Sequence, residues 1–137
     1  MSVILDTTVV IAAERRGESP AELIKIVSRR VPNEDICLSA IGLTELVHGI
    51  YRANSPERRV RRRLFVDELR AAVRVYPFTE DASMIAGQVD GEAQAVGIVI
   101  PTLDLMIGAT AISLGFSVMT TNVKHFSLIP GLNVIPF

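Results

Sequence analysis

The sequence has no tryptophan, one cysteine and only 5% aromatic residues. Base stacking of the kind that single-strand binders use therefore has little support, even beside the arginine cluster Arg58 to Arg63, where Phe65 stands alone. A lone Cys37 excludes an internal disulfide; set in Ile36-Cys37-Leu38, it reads as a buried, inert thiol in a reducing compartment. Excess charge of either sign is missing too. Fourteen Lys and Arg face fifteen Asp and Glu, for a net charge of −1 and a pI near 6.1, so any nucleic-acid partner must be met by local patches. No apolar run approaches the roughly 18–20 residues of a membrane span, and the first residues lack the basic, apolar and small-residue succession of a secretory signal. The expectation is a soluble cytoplasmic protein with no membrane partner.

What is present is apolar material: 49% hydrophobic residues over 137, with a mean hydropathy of +0.38. That suits one globular domain over 1–137, with neither repeat nor linker. Val3-Ile4-Leu5 is a short continuous apolar run, the pattern of a strand buried on both faces. It stops at Asp6, and Thr7 or Thr8 is positioned to N-cap a helix through Val9 to Ala13. Ser19-Pro20-Ala21-Glu22 is a complete capping box, opening a helix to about Arg30. Ile36-Cys37-Leu38 is a second strand, after which Ser39 caps a helix from about Ala40 to Ala53. Ser55-Pro56-Glu57 repeats the Ser-Pro start and leads into the arginine-rich helix. A third strand covers Val73–Phe78, a helix runs from Thr79-Glu80-Asp81 to about Val96, and Gly97 stops it. Ile98 to Pro101 is an extended approach to a helix capped by Thr102 and ended by Gly115. Ser117–Thr120 is a fourth strand, Thr121–Phe126 a loop or short helix, and Asn133-Val134-Ile135 an edge strand. Strands separated by helices require crossovers, so the pattern selects an α/β fold: a three-layer α/β/α sandwich with a central parallel sheet of four to five strands.

Three carboxylates and one amide occupy special places. Asp6 ends the first strand, where a buried charge needs partners and where open α/β sheets bind ligands. Asp104 lies in the first turn of a helix, which favours an anion. Glu45 points away from the Leu43, Leu46, Val47 and Ile50 stripe and lies between Gly42 and Gly49, two positions that leave room for an approaching group. Asn122 follows the fourth strand directly. Clustered carboxylates repel, and a divalent cation offsets that repulsion. Hard oxygens without a nearby thiol or His pair point to Mg2+ or Mn2+ over zinc, and such a site can activate water against a phosphodiester. By spacing alone each acid is better read as a cap or a surface charge.

Four stretches add to this. Ile4-Leu5-Asp6-Thr7-Thr8-Val9 resembles the opening motif of PIN-domain proteins, and Leu38-Ser39-Ala40-Ile41-Gly42-Leu43-Thr44-Glu45-Leu46 their second. Asp104-Leu105-Met106-Ile107-Gly108-Ala109-Thr110-Ala111 resembles the third, and Thr120-Thr121-Asn122-Val123-Lys124-His125-Phe126 with Ile129-Pro130-Gly131-Leu132 the fourth. The match runs in order over essentially the whole chain, at the size of the VapC-type toxins of bacterial toxin–antitoxin pairs. The resemblance implies a Mg2+- or Mn2+-dependent endoribonuclease with Asp6, Glu45 and Asp104 as catalytic residues. Asp6 and Asp104 are the implied metal ligands, with Glu45 and Asn122 as accessories. It also implies a homodimer inhibited by a cognate antitoxin protein. The chain departs from the family at Asn122, which keeps an oxygen but loses a charge, at Thr8, where Ser or Asn is common, and at Gly108, where Ala is common.

Other readings compete. A haloacid-dehalogenase-like phosphatase wants a second Asp where Thr8 stands, and a receiver domain wants paired acids where Leu5-Asp6 supplies one. A PIN-like RNA- or protein-binding module with weak or lost activity is the non-enzymatic alternative, motivated by Asn122. The arginine cluster is as well read as a solvated helix face as an RNA track. His48 and His125 lack ligand spacing and read as structural, solvent-facing or substrate-contacting groups rather than catalytic ones.

Overall fold

The computed structural model describes residues 1–137. Five parallel strands form one sheet: β1 (Ser2–Leu5), β2 (Asp35–Ser39), β3 (Arg74–Tyr76), β4 (Ser117–Thr120) and β5 (Val134–Pro136), in the order β3-β2-β1-β4-β5. Seven helices connect them: α1 (Thr7–Arg15), α2 (Pro20–Arg30), α3 (Ala40–Tyr51), α4 (Pro56–Ala72), α5 (Glu80–Ala95), α6 (Thr102–Leu114) and α7 (Val123–Phe126).

Strand alternation divides the core. Val3, Leu5, Leu38 and Met119 pack with α1–α4 on one face, whereas Ile4, Cys37 and Val118 pack with α5–α7 on the other. β1 is fully covered on both sides, which explains why its sequence is a continuous apolar run rather than an alternating one. The chain first builds outward from β1 to β2 to β3, then returns to place β4 on the opposite side of β1. Right-handed crossovers must therefore change face, and α5 and α6 lie across the sheet from α1–α4. The reversal puts a topological switch point between the carboxyl ends of β1 and β4, where Asp6 leaves one strand and Thr121 and Asn122 leave the other.

The starts read from sequence at Ser19, Ser39, Ser55 and Thr79 are all formed, each with a side-chain cap, and Ser19 with Glu22 closes a complete capping box. Two helix starts differ from expectation. Asp6, not Thr7 or Thr8, is the N-cap residue of α1, and its side chain caps nothing because it is engaged across the sheet. Pro101, not Thr102, precedes α6; Thr102 is already helical, and the Pro101 carbonyl accepts from Leu105 N at 2.9 Å. Strand three is shorter than read, as Pro77 has no N–H to extend the ladder. Cys37 is buried, donates to the Val3 carbonyl at 3.4 Å, and is pushed up to about 12 chiefly by burial, so it is an unreactive thiol. No helix is long and apolar enough to cross a membrane.

Gly108 of α6 faces the segment between α7 and β5. A Cβ there would stand 2.5 Å from Ile129 Cδ1 and 3.3 Å from Leu132 Cδ2. The absent side chain lets that segment lie directly on α6, and only the end of the Ile129 side chain would have to swing for an alanine. We expect Gly108→Leu to lower stability by about 1–3 kcal/mol through overpacking, with Gly108→Ala within about 1 kcal/mol of the parent because helix propensity offsets the contact. Urea unfolding of both variants checks this; a fully tolerated leucine would mean the contact is loose.

Candidate active site

At the switch point Asp6 is 1% exposed, and its carboxylate is held rather than free. Oδ2 accepts from Thr8 Oγ1 at 2.7 Å and from Thr120 Oγ1 at 2.8 Å. Each hydroxyl in turn accepts a backbone N–H from the loop after β4: Thr121 N reaches Thr8 at 3.1 Å, and Asn122 N reaches Thr120 at 2.8 Å. Two amides, two hydroxyls and one carboxylate thus tie the end of β1 to the end of β4. Asp6 N also donates to the Met119 carbonyl at 2.9 Å. Thr8, read from sequence as a helix cap, is a ligand of this network.

The other acids arrive on helices. Ser39 ends β2 and caps α3, which packs against both α1 and α6. Gly42 lies close under the capping hydroxyl of Ser39, with Oγ 3.2 Å from where its Cβ would be, and Thr7 Cγ2 of α1 at an ordinary contact distance of 3.7 Å. Gly49 instead borders open space. Glu45, between them, turns toward the crevice with Oε1 buried and without a hydrogen-bond partner. Its carboxyl is held above the ordinary range, first by burial and then by the charges of Asp6 and Asp104; Thr7 and Arg52 oppose the shift. Asp104, in the first turn of α6, is also raised, chiefly by burial; the hydrogen bond with His125 pulls the other way and the charge of Asp6 adds to the rise. Asp6, Glu45 and Asp104 therefore sense one another across the crevice.

Asn122 precedes α7 and stands beside His125, with Nδ2 3.2 Å from the ring Nδ1; the same Nδ1 is 2.9 Å from Asp104 Oδ2. The four residues singled out from sequence come to one crevice, and two more join them that sequence reasoning left outside, Thr120 and His125. The three-residue spacing of Asn122 and His125 within one helical turn was the available signal for the second. No three His, Cys, Asp or Glu side chains stand close enough to enclose an ion unaided. The donor set is nevertheless that of a hard cation keeping several waters: carboxylate oxygens in mutual repulsion, one of them buried without a partner.

Beside Glu45 a cavity of about 290 Å³ opens between α1, α3 and α4, with Val10, Ile11 and Leu46 among its apolar walls and Arg15, Arg52 and Arg62 among its charged ones. Of the arginine cluster, three members are engaged within the chain. Arg59 reaches the Ala53 carbonyl at 3.3 Å, Arg62 reaches Glu14 at 3.2 Å and the Gly49 carbonyl at 2.6 Å, and Arg63 reaches the Tyr51 hydroxyl at 3.3 Å. These bonds clamp α4 to α3 and α1; Arg58 and Arg61 are exposed. His48 lies on the exposed side of α3 near Arg52.

A family model described as PIN domain matches residues 3–132. The chain belongs to the PIN-domain family. It is 31% identical over 135 residues to Ribonuclease VapC1 of Rickettsia felis, covering 98% of this chain and 96% of that one. It is 27% identical over 135 residues to the tRNA(fMet)-specific endonuclease VapC of Salmonella typhimurium, with the same coverage of 98% and 96%. The solved DNA-bound VapBC of Salmonella typhimurium superposes with a TM-score of 0.82 at 26% identity, over 99% of this chain and 98% of that one. These relatives place this PIN domain with the VapC-type members, and its five-stranded parallel sheet with flanking helices is the fold that the sequence motifs implied.

Two outcomes test the electrostatics of the PIN-domain crevice. Thr120 is fully buried and serves Asp6 as donor and Asn122 N–H as acceptor, so Thr120→Val leaves the buried Asp6 carboxylate and a part-buried N–H each short of a partner. It should lower stability by about 1–3 kcal/mol, whereas Thr121→Val, whose exposed side chain makes no such bond, should stay within about 0.5 kcal/mol. Equal effects in urea melts would sink the network. Glu45 and Asp104, raised in the folded chain, bind protons more tightly folded than unfolded. In chelator, stability should therefore fall as pH rises from the ordinary carboxylate range through their raised values, and the penalty is fully present above them. Glu45→Gln should flatten that decline and be more stable than the parent at neutral pH; a steeper decline would reverse the assignment.

Proposed function

We propose that this chain is a VapC-type endoribonuclease toxin that hydrolyses RNA phosphodiester bonds at the Asp6, Glu45 and Asp104 crevice with Mg2+ or Mn2+. The observation that carries the reading is the convergence of three carboxylates from β1, α3 and α6 at the switch point, with Glu45 Oε1 buried and unpartnered. A purely structural carboxylate there would have both oxygens hydrogen-bonded; Thr7 stands at one side of Glu45, and Oε1 is left open to a ligand. The family relationship and the ribonuclease names of the relatives support the same class of reaction.

Asp6 and Asp104 would hold the ion, with Glu45 and Asn122 as accessories. When bound, the ion supplies positive charge that offsets the carboxylate repulsion and the charge developing on a phosphodiester. Thr8 and Thr120 fix the Asp6 carboxylate, so that its orientation is set before substrate arrives. Glu45, with its basicity raised by burial and neighbours, accepts the proton of the attacking water.

The VapBC relative supports a cognate antitoxin as partner. The cavity beside Glu45 suits an amphipathic segment: its apolar walls take a hydrophobic side, and the neighbouring carboxylates take an arginine in place of the ion. The exposed Met84, Val96, Val99 and Leu103, on α5 and the segment running from it into α6, fit a homodimer contact.

Purified protein should cleave RNA in Mg2+ or Mn2+ and stop in chelator. Asp6→Asn and Asp104→Asn should abolish cleavage while remaining folded in chelator, and Glu45→Gln should lower single-turnover rates by about a hundredfold or more. Sequencing RNA 5′ ends after induced expression identifies the target. Full activity of Asp6→Asn, or cleavage indifferent to chelator, would overturn the reading.

A further inference from the structure

His125 faces two neighbours with one atom. Its Nδ1 is 2.9 Å from Asp104 Oδ2 and 3.2 Å from Asn122 Nδ2. The side chain is 43% exposed while that of Asp104 is 15% exposed, so the ring sits as a partial cover over the carboxylate. A single ring nitrogen cannot serve both contacts as drawn. An ionised carboxylate only accepts hydrogen bonds, so the bond with Asp104 requires a proton on Nδ1. A protonated Nδ1 repels an amide NH2 group and attracts an amide oxygen. The two ends of an asparagine amide exchange by a half turn, and their assignment follows from the network around them. The self-consistent arrangement has Asn122 turned with Oδ1 toward His125, its NH2 group turned away, and the ring proton shared between Asp104 and the amide oxygen.

We propose that His125, in its Nδ1-protonated form, is the positioning residue for Asp104, and that Asn122 commits its amide oxygen to locking that ring, which replaces the accessory role toward the ion given to it above. Resting on the metal-site reading above, this gives the fourth corner of the crevice its own chemistry. Where a carboxylate would add a charge, the chain has an amide and an imidazole that together orient the one at Asp104. Asp6 is oriented by hydroxyls from α1 and from the end of β4, and Asp104 by a ring N–H from α7, so each of these two acids has its own holder. Partners of this kind fix a ligand carboxylate, and their loss typically weakens metal binding by about 10–100-fold.

Two measurements test it. In metal-free protein at about pH 9, where an ordinary imidazole is neutral, ¹⁵N shifts should show His125 protonated at Nδ1 and bare at Nε2; Asp104→Ala should reverse the tautomer. A bare Nδ1 in the parent would overturn the proposal. The second measurement is Mn2+ affinity by calorimetry. Asparagine places an amide nitrogen where Nδ1 stands, whereas glutamine places it where Nε2 stands. His125→Gln should therefore bind Mn2+ about tenfold or more weaker, and His125→Asn should stay close to the parent. Equal loss in both variants, or loss in neither, would overturn the proposal, and a merely structural role would lower both melting temperatures without separating the affinities. Should the parent bind no Mn2+, the metal-site reading fails by itself, and the tautomer decides on His125 alone.

Discussion

The structure depends on a carboxylate buried at the end of its central strand. Asp6 stands where β1 gives way to α1, 1% exposed, with neighbouring strands on both sides and helices on both faces. An anion there is tolerable only if its oxygens are satisfied, and the satisfaction comes from the far end of the chain: Thr120 directly, and Thr121 and Asn122 by donating to the hydroxyls that hold it. The β1–β4 pairing, the exit of β4 and the rotamer of Asp6 are therefore one constraint. It explains why Thr120 is fully buried although it carries a hydroxyl, and why Thr8 faces the sheet end instead of capping its helix.

The reversal of strand order makes that constraint functional. Because the chain builds outward to β3 and then returns to the other side of β1, the loops leaving β1 and β4 diverge to opposite faces and leave a crevice. α3 crosses toward it from one side and α6 from the other, bringing Glu45 and Asp104 to Asp6 from elements distant in sequence. Gly108 lets the Ile129 segment lie directly on α6 at its packed side.

Much of this was legible in residues. Apolar runs marked β1, β2 and β4, and the Ser-Pro starts marked α2 and α4, because caps and buried strands are local signals. The ordered motifs around Asp6, Glu45, Asp104 and Asn122 named the four residues that the fold brings together. What stayed hidden depended on partners far along the chain. Thr8 looked like a cap because helix starts prefer hydroxyls, but it donates to Asp6 while accepting from Thr121 N, 113 positions away. His125 lacked ligand spacing because its partner is 21 positions away. The arginine cluster read equally as a solvated helix surface or an RNA track, but Arg59, Arg62 and Arg63 are assigned one by one to carbonyls and side chains of α1 and α3 and the turn after α3, which no helical wheel of α4 reveals.

The three carboxylates of the crevice differ in how far the protein has satisfied them, and the differences divide their chemistry. Asp6 is buried and has two hydroxyl donors on Oδ2, so its orientation is set before any ligand arrives. Asp104 has one nitrogen partner and partial exposure, so it is oriented but keeps an oxygen for a ligand. Glu45 has a buried oxygen with no partner and a proton affinity raised by burial and by the other two charges. An isolated domain would be more stable with that oxygen paired. Keeping it bare leaves repulsion and desolvation unrelieved, and what relieves both is a positive charge entering the crevice, whether a cation or an arginine of a partner. On the proposed function, this one deficit would serve both an activating ion and an inhibitory side chain, and the two would exclude each other because they answer one unmet charge.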